Sequence, residues 1–197
     1  MSTFDSRAKE WDQKDRRVNG AKTIAKAIEK RVILTPEMAI LDFGVGTGLL
    51  GFEIAKKVKS VDGVDTSTGM LEKLKAKNTP ELFITPLHQD IIKDPLNKKY
   101  DGVVSSMTLH HVENLDAFFD ELAKIVKDGG FISIADLEKE NGTFHSDNTG
   151  VHHFGFDEKE LRKYSERAGF KDIMVENINT IEKPHGAFGV FLLTAKK

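Results

Sequence analysis

The sequence predicts an α/β domain: a doubly wound, mostly parallel seven-stranded sheet with helices on both faces and an antiparallel C-terminal hairpin. Between residues 21 and 136, short apolar runs alternate with stretches whose apolar residues recur at helical spacing. Strands separated by helices of this length pair in parallel. The last two strand-like runs follow each other without a helix, which predicts an antiparallel pair because a parallel crossover needs a longer connection.

The individual elements follow from the same periodicities. The predicted helices have apolar residues three and four positions apart and cover 21–31, 49–58, 67–77, 115–127 and 157–168. The predicted strands are short apolar runs and cover 38–43, 60–65, 82–88, 100–105, 131–136, 171–181 and 188–195. Asp157 and Glu160 form a capping box at the start of the last helix. Polar residues over 138–155 predict a long loop, a kind of segment that is often functional.

Composition and charge narrow the class of protein. The 197 residues suffice for one domain with a proper core. The 29 basic and 31 acidic residues give a net charge of −2, so electrostatics does not favour a nucleic-acid partner. The absence of cysteine excludes disulfides, thiolate metal sites and a cysteine nucleophile. No apolar run approaches the roughly 20 residues of a membrane span, and the N-terminus does not resemble a signal peptide. We therefore expect a cytoplasmic protein without a membrane partner.

Glycines concentrate at the junction between the first predicted strand and the following helix. Residues 41–48 read Leu-Asp-Phe-Gly-Val-Gly-Thr-Gly. Glycines at such a junction let the main chain turn sharply and let a ligand approach the backbone. Residues 46–51 also fit GxGxxG, which alone is a weak signal of dinucleotide binding. We interpret the turn as a seat for a nucleotide-like ligand; the alternative is a tight turn without one.

Asp65 ends the second predicted strand, about 20 residues after the glycines. A carboxylate at this position can accept hydrogen bonds from both hydroxyls of a ribose. The alternative is a cap for the helix that begins near Ser67, although Thr66 or Ser67 can supply that cap equally well.

Five runs of residues resemble, in order, the motifs of class I S-adenosylmethionine-dependent methyltransferases. They are 41–48, 63–71, 88–91, 100–106 with 109–112, and 127–131. The resemblance spans the chain from about Ile40 to the C-terminus, and five motifs in order are more specific than any one of them. It implies S-adenosyl-L-methionine as the cofactor and methyl transfer as the activity.

The resemblance implies which residues bind the cofactor. Asp65 is implied to bind the ribose, Asp90 to lie beside the adenine amino group, and Ile91 to lie against the ring. The implied cofactor-binding residues are Asp42, Gly44, Val45, Gly46, Gly48, Asp65, Thr66, Met70, Asp90, Ile91 and Ser105. Asp42 can attract the ammonium and sulfonium charges. The alternatives are a strand end for Asp42, a helix cap for Asp90 and core packing for Met70.

Histidines are the candidates on the acceptor side. Methyl transfer from a sulfonium is an in-line displacement, so a base is needed only if the acceptor must lose a proton. His110 and His111 follow the fourth strand, where open α/β sheets bind ligands, and are the catalytic candidates. His152 and His153 in the long loop, together with Trp11, are the candidates for substrate contacts. The alternative is that the histidines pack in, or cap, their own loops.

The sequence does not predict a metal site. Adjacent histidines point in different directions, and no H-x-x-x-H or carboxylate spacing accompanies them. Residues 105–108 read Ser-Ser-Met-Thr instead of the Asn/Asp-Pro-Pro-Tyr of nucleic-acid and protein amide methylases. This difference argues against methylation of bases or glutamine amides. We therefore expect a small-molecule methyl acceptor.

The first 35 residues are predicted to cap a cofactor-binding domain formed by residues 36–197. Phe4, Ala8 and Trp11 recur at helical spacing with charged residues between them, which predicts a short amphipathic helix. In similar methyltransferases such a helix lies over the cofactor as a lid. The alternative is a helix packed on the edge of the sheet.

Two other functions share this fold. An NAD(P)-dependent oxidoreductase begins with the same turn, but Asp42 before the glycines, Asp90 after the third strand and the terminal hairpin favour a methyltransferase. A non-catalytic regulator that binds the same cofactor is a second alternative, and the sequence separates it less well.

Overall fold

The computed structural model describes residues 4–5 and 8–197. The strands of its sheet are β1 (Ala39–Phe43), β2 (Ser60–Asp65), β3 (Ile84–His88), β4 (Tyr100–Ser106), β5 (Val126–Leu137), β6 (Lys171–Lys183) and β7 (Gly186–Lys196). The α-helices are α1 (Asp15–Arg31), α2 (Leu49–Ala55), α3 (Thr68–Lys77), α4 (Leu115–Ile125) and α5 (Glu158–Arg167). Short 3-10 helices cover Ala8–Gln13 and Leu109–His111.

The seven strands form one mostly parallel sheet in the order β3-β2-β1-β4-β5-β7-β6. β1 pairs in parallel with both β2 and β4, and β4 pairs in parallel with β5. β7 pairs antiparallel with both β5 and β6. The predicted fold class is therefore confirmed, including the antiparallel C-terminal hairpin.

Apolar side chains pack on both faces of the sheet. On one face, Phe118 of α4 and Leu161 of α5 are fully buried. On the other face, α1, α2 and α3 contribute the fully buried Ile28, Ile54 and Leu74. Fully burying one such side chain contributes about 1.5–3 kcal/mol. These two layers hold the strands whose ends carry the candidate site.

The N-terminal helices differ from the sequence-based expectation. Helix α1 begins at Asp15, whereas the predicted start was Ala21. The first turns of the helix are polar and carry no apolar period, so the sequence pattern did not indicate them. Of the predicted helix over the first 17 residues, 1–3 and 6–7 lie outside the described residues. Ala8–Gln13 is a 3-10 helix, and Lys14, in an extended conformation, separates it from α1.

Strand β5 begins at Val126, five residues earlier than the predicted start at Phe131. Val126 lies four residues after Leu122 and so continues the apolar period of α4, which is why the helix was expected to reach 127. In the structure Val126 pairs with Tyr100 of β4, and the register shifts before Gly102.

The strand order reverses at β1, because β2 and β4 lie on opposite sides of it. The segments that follow β1 and β4 therefore diverge, and a crevice opens between them at the carboxyl ends of the strands. The structure describes every residue of the expected loop 138–155, and this loop contains no helix or strand. A single β-bridge joins Glu138, its first residue, to Phe156, which follows it. Across the described part of the chain, no helix combines the length and the apolar character needed to cross a membrane.

Candidate active site

A cavity of about 790 Å³ lies at the carboxyl ends of the central strands. Residues that follow β1, β2 and β4 line it together with residues of the loop 138–155 and of the N-terminal segment. Ligand pockets commonly measure about 300–1,000 Å³. The cavity therefore has room for a nucleoside-sized ligand together with a second small molecule.

The glycine-rich turn after β1 presents backbone to this cavity. The N–H groups of Gly44 and Val45 donate to the carbonyl oxygen of Val64 at 2.9 and 3.0 Å. Gly44 has a φ of 68°, and a Cβ there would lie 2.2 Å from Cγ2 of Thr108, so the position requires glycine. At Gly46 no atom of the described residues lies within 4 Å of the Cβ position. The turn is thus closed on the side of β4 and open at Gly46.

The Asp65 carboxylate fixes the turn to the end of β2. Its Oδ2 accepts the N–H of Gly46 and its Oδ1 accepts the N–H of Ser67, both at 2.8 Å. Burial raises the pKa of Asp65, and these hydrogen bonds act in the opposite direction. Ser67 caps α3, because its Oγ accepts the N–H of Met70 at 3.2 Å. A carboxylate offers about four lone-pair positions, so Asp65 can accept further hydrogen bonds from a ligand in the cavity.

Asp42 places a buried carboxyl group beside the turn. The residue is 1% exposed, and its Oδ2 has no hydrogen-bond partner among the described residues. Burial, followed by the charge of Asp65, raises the pKa of Asp42 well above its usual value, and the nearby backbone N–H of Gly51 acts in the opposite direction. A buried polar group without a partner costs free energy. A cation bound in the cavity would therefore stabilise the ionised form of Asp42.

Three other predicted cofactor residues, Thr66, Met70 and Asp90, line the cavity. Asp90 forms an ion pair with Lys93 at 2.9 Å and accepts the N–H of Ile92 at 3.1 Å. Partial burial raises the pKa of Asp90, but these contacts outweigh it and lower the pKa below its usual value. Asp90 is therefore an ionised acceptor at the edge of the cavity.

Gly48, Ile91 and Ser105 do not line the cavity. Ile91 is fully buried in the core, and Ile92 lines the cavity instead. The hydroxyl of Ser105 donates to the carbonyl oxygen of Phe43 at 2.8 Å and so ties β4 to β1. Gly48 has a φ of 86° and precedes the first residue of α2. These three residues therefore lie behind the residues that line the cavity.

His110 is oriented by Asp136, a buried carboxylate near the end of β5. The Nδ1 of His110 donates to Oδ1 of Asp136 at 2.6 Å, and its backbone N–H donates to Oδ2 at 3.2 Å. Burial raises the pKa of Asp136, but His110 and the N–H of Leu137 outweigh it and lower the pKa. Since a carboxylate only accepts, Nδ1 carries a proton, and in a neutral imidazole Nε2 is then the proton acceptor. This Nε2 is buried without a partner in the described residues.

Two more imidazoles lie against His110, and the three residues are called the histidine cluster below: His110, His111 and His145. The ring centroids of His111 and His145 lie 4.1 and 4.9 Å from that of His110. Burial and the neighbouring imidazoles lower the pKa of His111 and of His145 to about 4. Both are therefore neutral at pH 7. His111 Nδ1 donates to the carbonyl oxygen of Gly150 at 2.6 Å, which leaves its Nε2 as an acceptor.

The two loop histidines have different positions. His152 is exposed and lines the cavity, whereas His153 does not line it. The Nε2 of His153 donates to the carbonyl oxygen of Val112 at 2.9 Å and fixes the loop to the segment after β4. Among the residues that the structure describes, no group of three or more histidine or acidic side chains could hold a metal ion.

The N-terminal segment contacts the turn and the histidine cluster. The hydroxyl of Thr47 donates to Oδ1 of Asp12 at 2.5 Å. The ring centroid of Phe4 lies 5.0 Å from that of His111, in an edge-to-face arrangement. Trp11 lines the cavity. Residues from this segment therefore touch both the turn beside Asp65 and the acceptor-side histidines.

Sequence reasoning missed Asp136, His145 and Lys183. For Asp136 a signal existed, since a carboxylate near the carboxyl end of a strand beside the switch point is well placed for a site. For His145 the signal was its position in a long histidine-rich loop. Lys183 ends the antiparallel β6, and nothing in the sequence locates that strand end beside the cavity.

Known proteins are similar to this chain in sequence or in fold. Residues 41–134 match a family model described as a methyltransferase domain. An uncharacterised methyltransferase of Schizosaccharomyces pombe is 31% identical over 165 residues, which cover 74% of this chain and 56% of that protein. The chain spans about half the length of the curated relatives it matches.

Two solved structures with similar folds are methyltransferases. Phosphoethanolamine N-methyltransferase 2 of Haemonchus contortus, in complex with phosphomonomethylethanolamine and S-adenosylhomocysteine, has a TM-score of 0.71 at 19% identity and covers 88% of this chain and 52% of that one. Magnesium protoporphyrin IX methyltransferase of Synechocystis, in complex with S-adenosylhomocysteine, has a TM-score of 0.69 at 18% identity. The match covers 92% of this chain and 84% of that one. The matched family model and the shared fold lead to one conclusion: residues 41–134 belong to a methyltransferase domain, and the chain has the fold of methyltransferases of known structure.

Proposed function

We propose that this protein transfers the methyl group of S-adenosyl-L-methionine to a small-molecule acceptor. The observation that carries the proposal is one cavity lined by the glycine-rich turn, by strand-end carboxylates and by the histidine cluster. The turn and carboxylates suit a cationic nucleoside, and the histidines suit an acceptor that loses a proton. The Haemonchus enzyme binds S-adenosylhomocysteine together with phosphomonomethylethanolamine, so the fold can hold a nucleoside and a small acceptor at once.

The residues present fit this cofactor. One buried oxygen of Asp42 has no hydrogen-bond partner in the part of the chain that the structure describes and can meet a positive charge, and Gly46 leaves the turn open to close approach. Asp42 would hold the positive charges and Asp65 the ribose hydroxyls. Asp90 and Met70, which line the same cavity, would hold the adenine.

The histidine cluster would act on the acceptor. When bound, S-adenosylmethionine supplies an electrophilic methyl group on a positively charged sulfur. His110 accepts the proton of the nucleophilic atom at Nε2, because Asp136 keeps the proton of the ring on Nδ1. Asp136 stays ionised and stabilises the imidazolium that forms. His111 is neutral, with a pKa of about 4, and orients the acceptor. General-base catalysis of this kind contributes about 10²–10⁴-fold.

The N-terminal 35 residues are proposed to act as a lid on the catalytic domain of 36–197. The bond between Asp12 and Thr47 and the contact between Phe4 and His111 support this role, since together they tie the segment to both parts of the cavity. In this proposal Trp11 contacts the acceptor, as does His152 from the long loop.

Calorimetric titration tests the cofactor. We expect S-adenosylmethionine and S-adenosylhomocysteine to bind and NAD not to bind. Asp65→Ala removes two charge-assisted hydrogen bonds to the ribose, which should cost about 3 kcal/mol, or about 100-fold in affinity. Asp128→Ala is the matched control, because the side chain of Asp128 is 99% exposed. Binding of NAD alone, or equal losses in both variants, would contradict the proposal.

Transfer of radiolabelled methyl groups to a small-molecule cell extract tests catalysis. The wild-type protein should label the extract, and His110→Gln should label it about 10²–10⁴ times more slowly while keeping its affinity for S-adenosylhomocysteine. Cofactor binding without any methyl transfer would favour the non-catalytic regulator.

A further inference from the structure

We propose that the methyl acceptor carries an anionic group, a carboxylate or a phosphate, which is bound by three cationic side chains of the cavity. These residues are called the cation trio: Lys14, Arg16 and Lys183. The inference rests on the proposed function and specifies its acceptor. The anionic group is distinct from the atom that receives the methyl group, which lies at the histidine cluster.

No carboxylate of the described residues forms an ion pair with the cation trio. Within the described residues Lys14, Arg16 and Lys183 form no ion pair, and Asp15, which lies between the first two, does not line the cavity. The Lys183 ammonium donates to the carbonyl oxygen of Phe144 and lies 3.6 Å from the centroid of its ring. Both of these contacts are with neutral groups. The charge of Glu140 also acts on Lys183, but the two residues form no ion pair, and Oε2 of Glu140 accepts the N–H groups of Thr143 and Phe144. Unpaired cations that line a cavity favour an anionic ligand.

The fold brings the three cations together. Lys14 and Arg16 lie at the N-terminus of α1, and Lys183 ends β6. At the other end of α1, Arg31 forms a two-pronged ion pair with Glu176, which holds the helix along β6. Burial, together with the positive charges of Arg16 and Lys14, lowers the pKa of Lys183, and the negative charge of Glu140 acts in the opposite direction. Cations near a helix N-terminus also oppose the helix dipole, so an anion bound there relieves two unfavourable interactions.

The cation trio adjoins the histidine cluster. The ring of Phe144, which Lys183 contacts, lies 4.8 Å from the ring of His145, centroid to centroid. The positive charge of Lys183 is among the causes that lower the pKa of His145. A small acceptor can therefore place its anionic group on Lys183 and its nucleophilic atom beside the imidazoles.

Six acidic side chains among the described residues also line the cavity. Asp42, Asp65 and Asp90 come from the ends of β1 to β3, the part assigned to the cationic cofactor. The other lining carboxylates are Glu10, Glu113 and Asp147. None of these six forms an ion pair with the cation trio in the described part of the chain. The cavity thus combines an acidic part that suits the cofactor with a basic part that suits an anionic acceptor.

Binding of simple anions to the protein saturated with S-adenosylhomocysteine tests the inference. Inorganic phosphate and acetate are titrated by calorimetry at constant ionic strength, and the two arms distinguish a phosphate group from a carboxylate. We expect at least one anion to bind, and to bind at least fivefold more weakly to the double variant Arg16→Met/Lys183→Met. Lys59→Met is the matched control, because Lys59 is exposed and does not line the cavity.

Failure of both anions to bind, or equal binding to the double variant, would overturn the inference. Thermal unfolding checks that the double variant folds, and Lys183→Met alone replaces it otherwise. Titration with S-adenosylhomocysteine precedes the anions. Its failure to bind the wild-type protein overturns the proposed function, whereas nucleoside binding without anion binding overturns this inference alone.

A fractionated extract gives an independent test. Small molecules retained on an anion exchanger should accept the radiolabelled methyl group, and treatment of that fraction with phosphatase should remove the acceptor if its anionic group is a phosphate. Methyl transfer confined to the unretained fraction would refute an anionic acceptor.

Discussion

Replacement of Asp136 by asparagine isolates the role of its charge in orienting His110. Asp136 is fully buried and accepts three hydrogen bonds. Two come from His110, through Nδ1 at 2.6 Å and the backbone N–H at 3.2 Å, and one comes from the N–H of Leu137 at 2.7 Å. An asparagine keeps the size of the side chain but has one accepting oxygen in place of two.

Each orientation of the new amide has a defined result. With its oxygen in the place of Oδ1, its NH₂ group faces the backbone N–H of His110, and that buried donor loses its acceptor. With its oxygen in the place of Oδ2, its NH₂ group donates to Nδ1 of His110, the imidazole proton moves to Nε2, and the backbone N–H of Leu137 loses its acceptor. The second orientation converts the proton acceptor at the cavity into a donor.

The structure sets the expected magnitude. A buried donor without an acceptor costs about 1–3 kcal/mol, and removal of a buried charge offsets part of this cost. We expect the free energy of unfolding to fall by about 1–3 kcal/mol, which lowers Tm by about 2–10 °C in a domain of this size. Methyl transfer should slow by about 10²–10⁴-fold if the base is lost. Affinity for S-adenosylhomocysteine should not change, because Asp136 does not line the cavity.

Nitrogen-15 NMR of the histidine side chains measures which ring nitrogen of His110 carries the proton. The wild-type signal, assigned by its loss in His110→Gln, should report a proton on Nδ1, and the Asp136→Asn signal a proton on Nε2. Asp157→Asn is the matched control, since asparagine caps a helix as well as aspartate does. A wild-type proton on Nε2, or full methyl transfer by Asp136→Asn, would refute the reasoning.

Three further predictions follow from the same geometry. The pKa of Asp42 lies above the usual carboxyl value, and the affinity for S-adenosylmethionine should rise with pH as Asp42 ionises. Calorimetry at several pH values measures this dependence, which should be absent in Asp42→Asn. Asp12→Ala loses the bond to Thr47 and the ion pair with Lys77, and it should release S-adenosylhomocysteine about fivefold faster in stopped-flow measurements, with Glu29→Ala as the control. The pKa values of His111 and His145 are about 4 in the folded protein and 6.5 for a free imidazole. Between pH 4 and 6.5 the unfolded chain therefore binds more protons than the folded protein. The free energy of unfolding should therefore fall as the pH drops from 6.5 towards 4, and urea titrations of His145→Gln should show a shallower fall.

The cofactor side of the site could be predicted from the sequence because its geometry is local. Gly44, Gly46 and Asp65 follow buried strands, and the parallel pairing of those strands places their ends at one edge of the sheet. The side chain that lines the cavity after β3 was harder to predict. Ile91 was expected at the ring and Ile92 lines the cavity, because the turn after Asp90 sets which side chain faces inward and apolar pattern alone does not.

The acceptor side depends on contacts between distant parts of the chain. His110 was identified from its place after β4, but its carboxylate partner is 26 residues away, on β5. His145 and Lys183 reach the site through an irregular loop and the end of an antiparallel strand. Neither segment has a period that fixes where its side chains point, so sequence alone could not bring them together.

The close approach of Gly44 and Thr108 has a consequence for redesign. The side chain of Thr108 occupies the space that a Cβ at position 44 would need, so the loops after β1 and β4 interlock. A bulkier residue at 108 would displace the turn that is assigned to the nucleoside. Laboratory evolution towards new acceptors should therefore diversify the segment 139–150 and leave Thr108 unaltered.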